Sequence, residues 1–181
     1  MESIQEKYTR LRPFIKQGDL VLFHGEKALA RIIQESDGDA YYNHIGVVGE
    51  IAGALFIIDS NANGVEPARL SKRVLSYDDG DFSVLRPLKT KQEIDFQLFL
   101  LLRTIDDSKI KYDFINGLKA LLNRWIKTKF KTHSESDRRI CSMFVYNYAI
   151  NLDMIHPMLD SNKLFFPQDY IRNEFWYKKI D

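Results

Sequence analysis

The chain holds one cysteine, Cys141. It follows Arg138-Arg139-Ile140 and opens an apolar run to Ile150, in which Phe144, Val145, Tyr148 and Ala149 share its face at helical spacing. A thiol at a helix N-terminus feels the positive end of the macrodipole, which favours the thiolate. The first-turn amides have no partner within the helix and can receive an oxyanion. Arg138 and Arg139 push in the same direction. A lone cysteine is nevertheless more often a small buried hydrophobe, so this thiol needs partners before it carries chemistry.

A thiol nucleophile needs a base, and the base needs an orienting group. Of His24, His44, His133 and His156, only His44 opens a strand-like run, Ile45-Gly46-Val47-Val48, with small Gly46 on its own face leaving open space beside the ring. Asp59 ends the neighbouring apolar run Phe56-Ile57-Ile58, where a carboxylate can accept from the imidazole and fix its tautomer. Taken singly, a surface histidine and a strand-capping aspartate explain these residues better. The other three histidines lie in loop-like or polar contexts and receive no role.

These three residues must be held by the elements around them. Gly18-Asp19 opens a short strand, Leu20 to Phe23; His44 to Glu50 and Ala54 to Asp59 read as a hairpin joined through Ile51-Ala52-Gly53; Phe82 to Arg86 is a fourth strand, ended by Pro87. Asn61 to Gly64 is a turn by composition. Glu2 to Arg12 is polar and helical or loose, and Ala28 to Glu35 has helical spacing. The second half is helical: Lys91 to Thr104, Asn116 to Phe130, and Cys141 to Ile150. Strands followed by helices predict an α+β fold rather than a doubly wound parallel sheet.

Length and composition agree. The 181 residues suffice for one core and predict a single domain. The 45% hydrophobic and 28% charged residues are ordinary for a globular protein and do not suggest disorder. A formal net charge of +1 gives no whole-chain argument for nucleic acid. One cysteine permits neither an intrachain disulfide nor a multi-thiolate zinc site. The opening MESIQEKYTRLRPF is charged and lacks an apolar h-region, so no signal peptide is visible, although an already removed leader is compatible. No run reaches the roughly 18 apolar residues of a membrane span, and the chain is expected to be soluble as given, its compartment unknown.

Several segments, taken in order from about residue 17 to the C-terminus, resemble the permuted NlpC-type, papain-like hydrolases, including the YiiX-like group. Gly18-Asp19-Leu20-Val21-Leu22-Phe23 is similar to their "GD-hydrophobic-hydrophobic-F" opening. Tyr42-Asn43-His44-Ile45-Gly46-Val47-Val48 resembles the strand that carries the catalytic histidine, and Ile57-Ile58-Asp59-Ser60 followed by Gly64-Val65 resembles the element that carries the acid. Tyr112-Asp113-Phe114 resembles the segment before the nucleophile helix, Cys141-Ser142-Met143-Phe144-Val145 the nucleophile motif, and Phe166-Pro167-Gln168-Asp169-Tyr170 a segment near the end of the domain. The chain departs from the pattern at Asp59, usually glutamate, at Met143, usually acidic, and at Asn43, usually serine. Because Asp59 is one methylene short, Ser60 and Asn61 stay open as alternatives for orienting His44.

The resemblance implies a circularly permuted papain-like fold, an antiparallel sheet or barrel packed against helices that include the nucleophile helix. It implies a thiol mechanism with Cys141 as nucleophile, His44 as base and Asp59 as orienting acid, their chain order permuted while the spatial triad is kept. It places Tyr112 beside the nucleophile, where its hydroxyl would assist the oxyanion or bind substrate; a buried core tyrosine is the alternative. No cofactor and no metal is called for. A zinc site of Cys141, His44 and Asp59 has no paired-ligand spacing behind it. The expected substrate is a peptide or an acyl-amide or lipid. An amidase or peptidase acting on cell-wall peptides leads, a lipid-directed hydrolase or acyltransferase related to lecithin:retinol acyltransferase is the alternative, and an inactive binding module of the same fold is the third reading. A helical insertion is expected at about 115–139. Within it, residues 118–131 carry Lys119, Arg124, Lys127, Lys129 and Lys131 and no acid, opposite Leu118, Leu121, Leu122, Trp125 and Ile126. Such a basic amphipathic stretch suits peripheral contact with an anionic membrane, or a cover over an apolar cleft, although most amphipathic helices are ordinary surface helices docked on the core.

Overall fold

The computed structural model describes residues 2–25, 41–61, 64–77, 80–108, 141–152, 167–171 and 177–180. In chain order these form α1 (Ile4–Leu11), a 3-10 turn (Arg12–Phe14), β1 (Leu20–His24), β2 (His44–Ile51), β3 (Ala54–Asn61), β4 (Gly64–Arg69), α2 (Leu70–Leu75), β5 (Asp81–Pro87), α3 (Lys91–Ser108), α4 (Cys141–Asn151), α5 (Pro167–Ile171) and β6 (Tyr177–Ile180). The helix expected over residues 28–35, the insertion with its basic stretch 118–131, and Tyr112 lie outside the described residues.

Local chemistry accounts for several boundaries. Ser3 and Glu6 form a reciprocal capping box at the start of α1, and Thr90 with Glu93 makes the same pair of bonds before α3. β2 and β3 are joined through Ala52 (φ 50°) and Gly53 (φ 76°). A two-residue hairpin whose twist matches its strands needs positive φ at both central positions, and Ala52 accepts that strain here. Several elements escaped the sequence reading, α5 and the 3-10 turn among them. β4 pairs with β3 from Phe56↔Arg69 to Asn61↔Gly64, and β6 pairs with β5 from Val84↔Ile180 to Pro87↔Tyr177. Both are edge strands, where Pro67 in β4 is tolerated. The six-residue helix α2 is too short for its periodicity to show.

The six strands form one antiparallel sheet in the order β4-β3-β2-β1-β5-β6. Strand alternation sends successive side chains to opposite faces. Leu20, Leu22, Ile45, Val47, Ile58 and Leu85 face one layer, built from Leu98 of α3, Val145, Tyr148 and Ala149 of α4, and Tyr170 of α5. Val21, Phe23, Val48, Ile57, Phe82 and Val84 face the other, built from Ile4 and Leu11 of α1 and Leu70 and Val74 of α2. The result is α+β, with helices on both faces. Among the described residues no helix is long and apolar enough to cross a membrane.

Two buried polar groups tie the layers together. Asp19 is almost fully buried, accepts from the Lys16 amide at 2.8 Å, and takes a forked contact from Arg86 of β5. Burial raises its carboxyl above the ordinary value of 3.8, outweighing the lowering by Arg86 and the Lys16 amide. Tyr148 of α4 reaches across to the Gly18 carbonyl at 3.4 Å, and burial pushes its hydroxyl well up. Gly18 itself has φ 87°, and a Cβ there would meet Ile94 of α3. The Gly-Asp pair is therefore a packing device in this fold.

Candidate active site

His44 is the first residue of β2. Its position is fixed from the residue before it: the Asn43 amide donates to the Phe23 carbonyl at 3.0 Å, and the Asn43 side-chain amide donates to the Gly25 carbonyl at 2.8 Å. The imidazole lies against Phe23, its register partner on β1, with ring centroids 5.8 Å apart, and against Tyr77, 6.4 Å away. Phe23 and Tyr77 stack on one another at 4.8 Å. Three rings thus form one wall, and 15% of the His44 side chain reaches solvent.

Asp59, on β3, has no exposed side-chain surface. Its Oδ2 is 2.8 Å from His44 Nε2. An ionised carboxylate can only accept, so the geometry places the proton of that pair on Nε2. Asp59 is long enough despite being one methylene shorter than glutamate. Ser60 points to the opposite face by strand alternation, and the side chain of Asn61 is outside the described residues.

The carboxylate has a second partner that the sequence did not single out. Arg73, on α2, donates from Nη2 to Asp59 Oδ1 at 3.0 Å, and its Nε lies 2.9 Å from Oδ2, out of line for a hydrogen bond. Both oxygens of a fully buried acid are therefore engaged, one by a permanent cation and one by the imidazole. Leu70 and Val74 bury the inner side of α2 and so hold Arg73 over Asp59. The general signal was available, since a buried carboxylate requires a counter-charge, but Arg69 ends β4, Lys72 and Arg73 follow it, and spacing does not choose among them.

The open space expected beside Gly46 is occupied. A Cβ at position 46 would lie 2.8 Å from Ile57 Cγ1 and 3.0 Å from Asp59 Cβ. Gly46 thus lets β3 press against β2 and brings Asp59 within reach of His44.

α4 is described from Cys141 onward and packs on β2 and β3. The Cys141 side chain lies outside the described residues. The buried face of α4 meets Ile45, Val47 and Ile58, the sheet face opposite His44 and Asp59. Among the described residues no three His, Cys, Asp or Glu side chains are grouped so as to hold a metal ion.

No family model and no curated protein matches the chain. Among solved structures, the chain is similar to the metalloprotein yiiX of Escherichia coli O157:H7, with a TM-score of 0.56 and 18% identity over 76% of this chain. It spans 66% of the length of that protein. At this identity the likeness concerns the fold, and the chain has a YiiX-like α+β architecture.

Proposed function

We propose that this protein is a cysteine hydrolase of the permuted NlpC-type, papain-like kind, cleaving an amide or ester through Cys141, His44 and Asp59. The observation that carries the reading is the buried Asp59 held 2.8 Å from His44 Nε2 at the start of a strand. A surface histidine needs no such support, whereas a general base depends on a fixed tautomer and ring orientation. His44 takes the Cys141 proton as the sulfur attacks the carbonyl. The tetrahedral oxyanion is received by the Cys141 amide at the start of α4. His44 then protonates the leaving group, and water clears the thioester. Tyr112 is proposed to assist the oxyanion or to bind substrate.

Cell-wall peptides are the leading substrate class. A lipid-directed hydrolase or acyltransferase is the second reading, favoured by the apolar side chains that α3 leaves in solvent, Phe96 at 58% and Phe99 at 59% exposure. Product analysis with muropeptide and acyl-lipid panels separates the two. Cys141→Ala and His44→Ala are each expected to abolish turnover. Equal turnover by wild type and Cys141→Ala would overturn the thiol mechanism, and no turnover on either panel would leave a binding module of the same fold.

A further inference from the structure

The turn after α2 is held closer to the sheet than a surface turn needs to be. The Tyr77 amide donates to the Val74 carbonyl at 3.1 Å, and the Tyr77 carbonyl accepts from the Gly80 amide at 2.7 Å. Glycines stand at both places where this turn closes on the end of β1. A Cβ at Gly80 would run into the His24 carbonyl oxygen, and one at Gly25 would lie 2.9 and 3.0 Å from two carbons of the Tyr77 ring, well inside carbon contact distance. Tyr77 is thereby set down beside the candidate active site. Its ring stacks on Phe23, with centroids 4.8 Å apart and planes at 15°, and lies 6.4 Å from His44 with planes at 24°. Phe23 is fully buried, whereas Tyr77 and His44 both keep part of their surface in solvent. The accessible part of this aromatic wall therefore consists of Tyr77 and His44, and a substrate that brings its scissile bond to His44 brings the neighbouring group to Tyr77.

We propose that Tyr77 is a specificity-determining residue that receives a flat apolar face next to the scissile bond, either an aromatic side chain or one face of a sugar ring. This rests on reading His44 as the proton-transfer group and gives the substrate of that site a shape. A tyrosine offers a large, rigid contact area at little cost in rotamer freedom, and aromatic rings pair with flat partners at centroid separations of about 4.5–7 Å. Phe23 and the tight turn already hold Tyr77 in place, so it has little freedom left to lose when a ligand arrives. A tyrosine that only covered Phe23 would be exchangeable for other bulky side chains without any effect on binding.

The test titrates 2-phenylethylamine and methyl glucoside separately into the full-length chain, with ethylamine as the ringless control, and follows the His44 ring resonances by NMR. None of the three probes has an amide or ester to cleave. At least one ring-bearing probe is expected to move the His44 signals, and to half-saturate in wild type at a concentration at least about threefold lower than in Tyr77→Ala. Tyr77→Phe keeps the flat face and is expected to stay within about twofold of wild type. A response to the amine alone assigns the face to an aromatic side chain, and a response to the glucoside alone assigns it to a sugar. The proposal is overturned if neither probe moves His44 beyond the ethylamine control up to about 100 mM, where even millimolar binding would saturate. It is overturned equally if Tyr77→Ala binds as wild type does, or if Tyr77→Phe binds as weakly as Tyr77→Ala. If Tyr77→Ala does not fold, Tyr77→Leu, which still covers Phe23 but offers no flat face, replaces it under the same criterion. The readout needs no turnover, so failure of the hydrolase reading and failure of this one are separable: an inactive protein can still show the preference, and an active one can lack it.

Discussion

Gly46→Ala tests how the site is built without touching any reacting group. The added Cβ would stand 2.8 and 2.9 Å from two carbons of Ile57 and 3.0 Å from Asp59 Cβ, against the 3.5–4.0 Å at which carbon atoms rest. Ile57 is fully buried, so its end has no free volume to rotate into. Gly46 and Asp59 are register partners, so the strands cannot slide apart locally without losing ladder bonds. Overpacking of this kind costs about 1–3 kcal/mol. The alanine returns about 0.4–1 kcal/mol by restricting the unfolded chain, which leaves a net loss on the order of 1–2 kcal/mol. The more telling effect is local. A shift of about half an ångström at Asp59 takes its 2.8 Å bond to His44 past the usual hydrogen-bond range, which ends near 3.2 Å. Urea denaturation reads the first effect and the His44 ring nitrogen resonances read the second. Stability within about 0.3 kcal/mol of wild type, together with unmoved ring resonances, would refute the idea that close approach at Gly46 sets the His44–Asp59 distance.

Two further outcomes follow from the same geometry. Asp59→Asn leaves Arg73 facing a neutral amide; with 21% of the Arg73 side chain in solvent, the loss should fall at the lower end of the range for a broken buried pair, about 3 kcal/mol by denaturant midpoint, with turnover reduced but not abolished. Asp19→Asn has a pH signature opposite to that of a simple salt bridge. The folded carboxyl binds its proton more tightly than the unfolded one, so its contribution to stability is present below about pH 4 and is lost as the pH rises through the raised folded value. The stability gap between wild type and Asp19→Asn should therefore shrink as the pH is raised from 3 to 7, and a gap that widens contradicts the sign.

Much of this architecture can be read from residue patterns, and the parts that cannot have a common cause. β1, β2, β3 and β5 announce themselves because apolar residues run between turn formers, and α4 because its apolar face repeats at helical spacing. β4 is hidden by its composition, Gly-Val-Glu-Pro-Ala-Arg, which as an edge strand has no need to alternate, and β6 by its Lys178-Lys179 pair, both exposed. At the site, His44 and Asp59 are legible because a strand start and a strand end carry side chains that do not belong in an apolar run. Arg73 is not, because its partner is on another element and its neighbours Arg69 and Lys72 look alike. Gly46 shows the limit most clearly: its place beside His44 is legible, but whether that place is empty depends on Ile57 and Asp59 from the next strand.

The central claim is that the thiol and the imidazole work as a pair. Because Cys141 is the only cysteine, its alkylation by iodoacetamide at pH 7 can be followed by mass without ambiguity. A thiol assisted by an adjacent base should react at least about tenfold faster in wild type than in His44→Ala. Equal rates in the two proteins would show that the sulfur and the ring do not meet, and would contradict the account.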